Sequence, residues 1–202
     1  AYYDFYENAF PILQKYEVPA VLAVITECAD TGKSFWTQEL NKIIEAFFKE
    51  KRQNELSKLN FLKNHSLSFN SVEQTALEIY KILLPIKEKN SALMELKTLL
   101  GKPVEFTKMM TWKELKEVHK AGISIASHTV NHLNLTTLND EELKYELKQS
   151  KTKIEEELNT IISVIAYPNG EYNDKVLEFS KKTGYNFAFS VENKSFQITN
   201  KD

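Results

Sequence analysis

Between residues 33 and 100 the chain has no glycine, and its apolar residues recur at three- and four-residue intervals: Leu40, Ile43, Ile44, Phe47 and Phe48, then Ala76, Ile79, Tyr80, Leu83 and Leu84. That period belongs to a helix with one buried face, so the segment predicts several amphipathic helices. Elsewhere the pattern changes. Short β-rich runs at 19–26, 122–127, 161–167 and 185–191 alternate with helical stretches. Such alternation predicts parallel strands joined by helices, in an α/β sheet or barrel.

Polar residues mark where the connecting helices start and stop. Thr111 followed by Glu114 reads as a capping box, and Gly122 ends the helix that carries Leu115, Val118 and Ala121, so a helix is expected over about 112–121. Asn139 with Glu142 starts a longer one, whose apolar face is Leu143, Leu147, Ile154 and Leu158 with Ser150 among them. Asn173 caps a third, carrying Val176, Leu177 and Phe179 and closed by Gly184. The remaining punctuation comes from Gly32, Gly101 and Gly170, and from Pro11, Pro19, Pro85, Pro103 and Pro168.

Charge narrows the partners. The chain has 26 basic and 28 acidic side chains, a formal net charge of −2, so no bulk field draws it to nucleic acid or anionic lipid. Arg52 is the lone arginine, which nearly removes bidentate recognition of phosphate or carboxylate groups. A single cysteine, Cys28, excludes an internal disulfide and a cysteine-based metal cluster, and reads as a small buried apolar residue. The longest apolar run, 20–25, is far short of the ~18 residues that suggest a membrane span. The opening Ala1-Tyr2-Tyr3-Asp4, without methionine, basic start or apolar signal core, reads as the interior of a longer polypeptide.

Candidate chemistry lies just after two of the strands. Ser127-His128-Thr129-Val130-Asn131-His132 follows the alternating run at 123–126. The C-terminal ends of barrel strands are where active sites form, and a four-residue spacing on a helical turn points two imidazoles the same way, as a metal pair requires. The bland alternative is a pair of surface or capping imidazoles. Catalytic zinc usually has three protein ligands and an open position, and spacing marks no carboxylate as the third. His65 and His119 lack such a partner and read as ordinary residues. Tyr167-Pro168-Asn169-Gly170 follows the third strand, where Asn and Gly tolerate dihedrals that aim a backbone N–H into a cleft. Read alone, it is more simply a tight βα turn, which any α/β protein contains.

Taken in order, these segments resemble the NodB-homology polysaccharide deacetylases, carbohydrate esterase family 4. The opening 1–13 resembles the stretch after that family's Thr-Phe-Asp-Asp signature, and Val18-Pro19-Ala20 the start of its next strand. Met110-Thr111-Trp112, Ala121-Gly122-Ile123, the histidine motif and Ala166-Tyr167-Pro168-Asn169-Gly170 then follow in family order. The resemblance covers 1–32 and 108–191. It implies a distorted (β/α) barrel, with 1–202 a single incomplete domain and a helical insertion at about 33–107 that shapes one wall of a glycan groove.

The activity implied is hydrolysis of linear amide C–N bonds, removing N-acetyl groups from amino sugars of a polysaccharide or glycan. His128 and His132 would ligate a divalent metal, usually zinc. The Asn169 N–H would help form the oxyanion hole, and Tyr167, Pro168 and Gly170 would meet the substrate. The resemblance places an aspartate ligand and an aspartate base immediately before Ala1, so the 202-residue chain alone is expected to be inactive. Two family features lack a counterpart. Ala166 stands where an arginine commonly orients the base, and no histidine follows His132 to act as general acid. The resemblance favours an extracytoplasmic or cell-envelope setting, with a cytoplasmic one as the alternative. A noncatalytic glycan-binding relative is the alternative reading, and a helical interaction module built on 33–108 is a third.

Overall fold

A computed structural model describes residues 1–84 and 89–191. In chain order its elements are α1 (Phe10–Lys15), β1 (Val21–Val24), α2 (Thr26–Thr31), α3 (Trp36–Lys49), α4 (Val72–Leu83), α5 (Lys89–Leu100), α6 (Trp112–Lys120), β2 (Ser124–Ser127), α7 (Asp140–Leu158), β3 (Val164–Ala166), α8 (Asp174–Thr183) and β4 (Phe187–Phe189). The chain divides into two compact units, one formed by 1–18 and 27–118, the other by 19–26 and 119–202.

The first unit is built on the glycine-free segment. Residues Trp36, Leu40, Ile43, Ile44 and Phe47 of α3 bury one stripe against Ala76, Ile79 and Leu83 of α4 and Ala92, Leu93, Leu96 and Leu100 of α5. The stripe follows the predicted period. Between α3 and α4 the chain makes two short 3-10 turns, Gln53–Lys58 and Asn60–Leu62, which send Leu56, Leu59 and Leu62 into the same core. The lone arginine serves this unit. The Arg52 guanidinium donates to the Glu55 and Glu50 carboxylates and to the carbonyls of Leu99 and Leu100, at 2.9–3.2 Å. It thereby satisfies carbonyls that the last turn of α5 leaves open. The N-terminal residues join through a Tyr2–Met109 bridge and a bond from the Met110 N–H to the Ala1 carbonyl. Cys28 is buried, which pushes its thiol up to about 11. Pro85 lies outside the described residues.

The second unit holds the sheet. Four parallel strands lie in the order β1-β2-β3-β4, each beside its neighbour in sequence. An order without reversal is that of a barrel, because a doubly wound sheet changes direction at a switch point. Val24 pairs with Ser127, Ser127 with Ile165, and Ala166 with Phe189, so the C-terminal ends of all four strands come into register along one edge. Ile125, Ile165, Leu143, Leu147, Ile154 and Val176 are buried in this unit.

The helix signals match the structure closely. Asn139 and Glu142 form a complete capping box at α7, and Asn173 caps α8, which ends at Gly184 with φ of 90°. At α6 the box is one-sided: the Glu114 carboxylate accepts both the Thr111 N–H and the Thr111 hydroxyl.

Candidate metal centre

As the chain leaves β2 it stays tied to β1, the His128 N–H donating to the Val24 carbonyl at 2.8 Å and the Thr26 N–H to the Thr129 carbonyl at 3.2 Å. It then turns sharply, with left-handed backbone at Thr129 (φ 67°) and His132 (φ 56°). This corrects the sequence reading: the histidines are not on a helical turn but in an irregular loop. Positive φ at a β-branched residue is sterically strained and persists only where its surroundings fix it.

Hydrogen bonds on both sides of Thr129 fix it. Thr129 is fully buried; its N–H donates to Ser127 Oγ at 3.2 Å, and its own hydroxyl accepts the His132 N–H at 3.1 Å. Ser127 Oγ donates in turn to Ser150 Oγ of α7 at 2.8 Å. Further along the same helix, Glu146 Oε2 accepts the N–H groups of Val130 and Asn131, each at 2.9 Å, and Oε1 accepts the Asn131 side-chain amide at 2.8 Å.

The outcome is a facing pair of imidazoles, ring centroids 4.7 Å apart and planes at 82°. His128 Nδ1 lies 2.7 Å from the Ala166 carbonyl of β3. A carbonyl only accepts, so Nδ1 carries the proton and Nε2 keeps its lone pair. Burial lowers the His128 pKa, with the Ala166 bond opposing it, while burial and then the neighbouring His128 push His132 down to about 4. Both rings are therefore neutral near pH 7, the form that ligates a metal.

The His132 shift predicts an acid sensitivity. The unfolded imidazole titrates near 6.5, so between about 6.5 and 4 the unfolded state takes up a proton that the folded state refuses. The contribution to stability is complete above that window and declines as pH falls through it, on the order of 2–3 kcal/mol. Urea denaturation at about pH 7.5 and about pH 5 should show this loss, and a His132→Gln chain should show much less of it. An equal acid loss in His132→Gln would place the sensitivity elsewhere.

The second motif lies at the end of β3. Tyr167 is 4% exposed, its N–H bonded to the Phe189 carbonyl and its hydroxyl to Ser180 Oγ of α8. Pro168 is also buried. The substrate-facing role expected of these two side chains thus finds them turned into the fold. Asn169 adopts left-handed φ of 59°, and Gly170 follows at 70°. Gly170 has a second constraint, since a Cβ there would stand 2.3 Å from the Val191 nitrogen. Gly170→Ala should therefore cost at least the ~1–3 kcal/mol of a strained backbone, read as a lowered melting temperature. An unchanged melting temperature would contradict this packing. The histidine loop and this turn are joined once more, Asn134 Nδ2 donating to Glu171 Oε2 at 2.6 Å.

The donor set fits a divalent cation of the zinc class as two of its ligands: neutral imidazoles, one with its tautomer fixed by a backbone carbonyl. Among the described residues no group of three His, Cys, Asp or Glu side chains stands ready to hold a metal. Sequence reasoning found the histidines and missed Glu146. Its signal was present, as a carboxylate within the apolar stripe of Leu143, Leu147 and Ile154.

Comparison with known proteins gives the family. The family model described as "Polysaccharide deacetylase" matches residues 1–188. The chain belongs to the polysaccharide deacetylase family. Among curated relatives, it is 33% identical over 94 residues to the YxkH protein of Bacillus subtilis, itself assigned to the polysaccharide deacetylases, covering 46% of this chain and 34% of that one. It is also 33% identical over 106 residues to a poly-beta-1,6-N-acetyl-D-glucosamine N-deacetylase of Staphylococcus aureus, covering 46% and 36%. The match thus spans about a third of either relative.

Solved deacetylase structures share the fold. The Streptococcus pyogenes deacetylase PplD in complex with acetate superposes with a TM-score of 0.54 at 23% identity, over 92% of this chain and 50% of that one. The BpsB deacetylase domain from Bordetella bronchiseptica gives 0.53 at 16%, over 95% and 61%. The four strands described are accordingly an arc of the NodB-type barrel.

Proposed function

We propose that the chain is part of a metal-dependent N-deacetylase that removes acetyl groups from amino sugars of a glycan, with His128 and His132 as metal ligands. One observation carries this reading: the two imidazoles stand edge to face, ring centroids 4.7 Å apart, at the C-terminal end of a strand in a deacetylase barrel. When bound there, a divalent cation, zinc in the first place, supplies Lewis-acid polarisation of the acyl carbonyl and activation of water. The chain's own residues supply the frame. The Ala166 carbonyl holds His128 by its Nδ1–H, and the Thr129 hydroxyl holds the backbone of His132. The Asn169 N–H is the oxyanion donor, a role carried over from the family and supported by its left-handed turn beside Ala166. The third ligand and the base are assigned to the aspartate pair that the family resemblance implies before Ala1.

The test compares acetate release from N-acetylated oligosaccharides by the 202-residue chain and by a polypeptide that also carries the preceding aspartate segment. The longer polypeptide should turn over with zinc and the shorter should not, since loss of the base alone removes ~10²–10⁴-fold. Zinc-dependent turnover by the 202-residue chain would contradict the ligand assignment. An inactive longer polypeptide, tried on several glycans, would favour a noncatalytic glycan-binding relative.

A further inference from the structure

Glu146 is a carboxylate inside a core, 2% exposed on the buried face of α7. Taking a carboxylate out of water is costly unless its oxygens are satisfied, and a leucine at this place in the stripe would pack without that cost. Its partners give the reason for keeping it. Its carboxylate accepts three hydrogen bonds, all from Val130 and Asn131, the two residues between Thr129 and His132. We infer that Glu146 is the positioning residue of the metal centre. From α7 it clamps the loop in the left-handed course that turns the His132 ring toward His128.

The inference rests on the metal-site reading above and assigns the clamp to one side chain. Without the carboxylate, the N–H groups of Val130 and Asn131 lose their acceptor and the strain at Thr129 and His132 loses its main restraint. The loop would then relax, and the imidazoles would no longer be held 4.7 Å apart. Ser127 and Ser150 hold only the first residue of the turn, through the Thr129 N–H. They cannot replace a clamp at 130 and 131.

Hydrogen-bond geometry also predicts which substitution is harmless. In Glu146→Gln the side-chain carbonyl can take the place of Oε2 and accept both backbone N–H groups. The new NH₂ then faces the Asn131 amide, which is exposed and free to turn its oxygen inward. Glu146→Ala can do neither.

The experiment titrates zinc into the polypeptide that also carries the preceding aspartate segment while following the ring nitrogens of His128 and His132 by NMR, with amide exchange at Val130 and Asn131 as a metal-free readout. Glu146→Ala should weaken zinc binding ~10–100-fold and lose protection at both amides. Glu146→Gln should stay within about threefold of wild type, the rescue expected of a retained acceptor. Ile154→Ala, a core truncation on the same helix, should lower the melting temperature without moving zinc affinity. Wild-type affinity and protection in Glu146→Ala would overturn the inference alone, as would an equal affinity loss in Ile154→Ala. A wild-type polypeptide carrying the aspartate segment whose two ring signals zinc leaves unmoved would overturn the metal-site reading, and the inference with it.

Discussion

His128→Ala is expected to abolish zinc uptake at this site and, in a polypeptide carrying the whole family site, to reduce acetate release to background. The substitution removes the ligand whose tautomer is fixed by the Ala166 carbonyl, and a single remaining imidazole is too weak a donor to retain the ion against buffer. Affinity should fall by at least ~100-fold, with catalysis lost alongside it because Lewis-acid polarisation and water activation both depend on the ion. Folding should survive, since His128 is only partly buried, in the loop after β2, and is not among the buried core residues. Zinc titration and acetate release measured together check this. Retained zinc binding in a folded His128→Ala chain would remove His128 from the ligand set.

Phe47→Ala should have the largest effect on stability without touching the metal. Phe47 is fully buried at the centre of the α3–α4–α5 core, and deleting a buried phenyl ring typically costs ~3–5 kcal/mol. The first unit should unfold at much lower urea. Zinc affinity should stay at the wild-type value under conditions where both proteins are folded, because the helical insertion is expected to supply no ligand. A parallel loss of zinc affinity in the folded variant would show that it does.

What could be read in the sequence was local in origin. The four strands fell inside the β-rich runs, and the caps at Asn139 and Asn173 held, because strand alternation and N-cap chemistry depend on neighbours in sequence. Within the glycine-free segment the helical period was right, yet the turns at Gln53–Lys58 and Asn60–Leu62 were invisible without glycine or proline to mark them.

At the site, spacing found His128 and His132 but gave the wrong local conformation. The loop is shaped by contacts distant in sequence, from Val24 and Thr26 on one side and Glu146 on the other. Tyr167 shows the same limit. Its bonds to Ser180 Oγ and to the Phe189 carbonyl join it to elements that no period in the sequence links to it. Glu146 was legible only as a misfit in an apolar stripe, a signal that marks a buried partner without naming it.

The central claim is that one ion sits between His128 and His132. An anomalous difference map at the zinc edge, from crystals of the protein grown with zinc, tests it most directly. A peak is expected ~2.0–2.1 Å from Nε2 of His128 and from a ring nitrogen of His132. A map with no peak there, and zinc instead at His65 or His119, would contradict it.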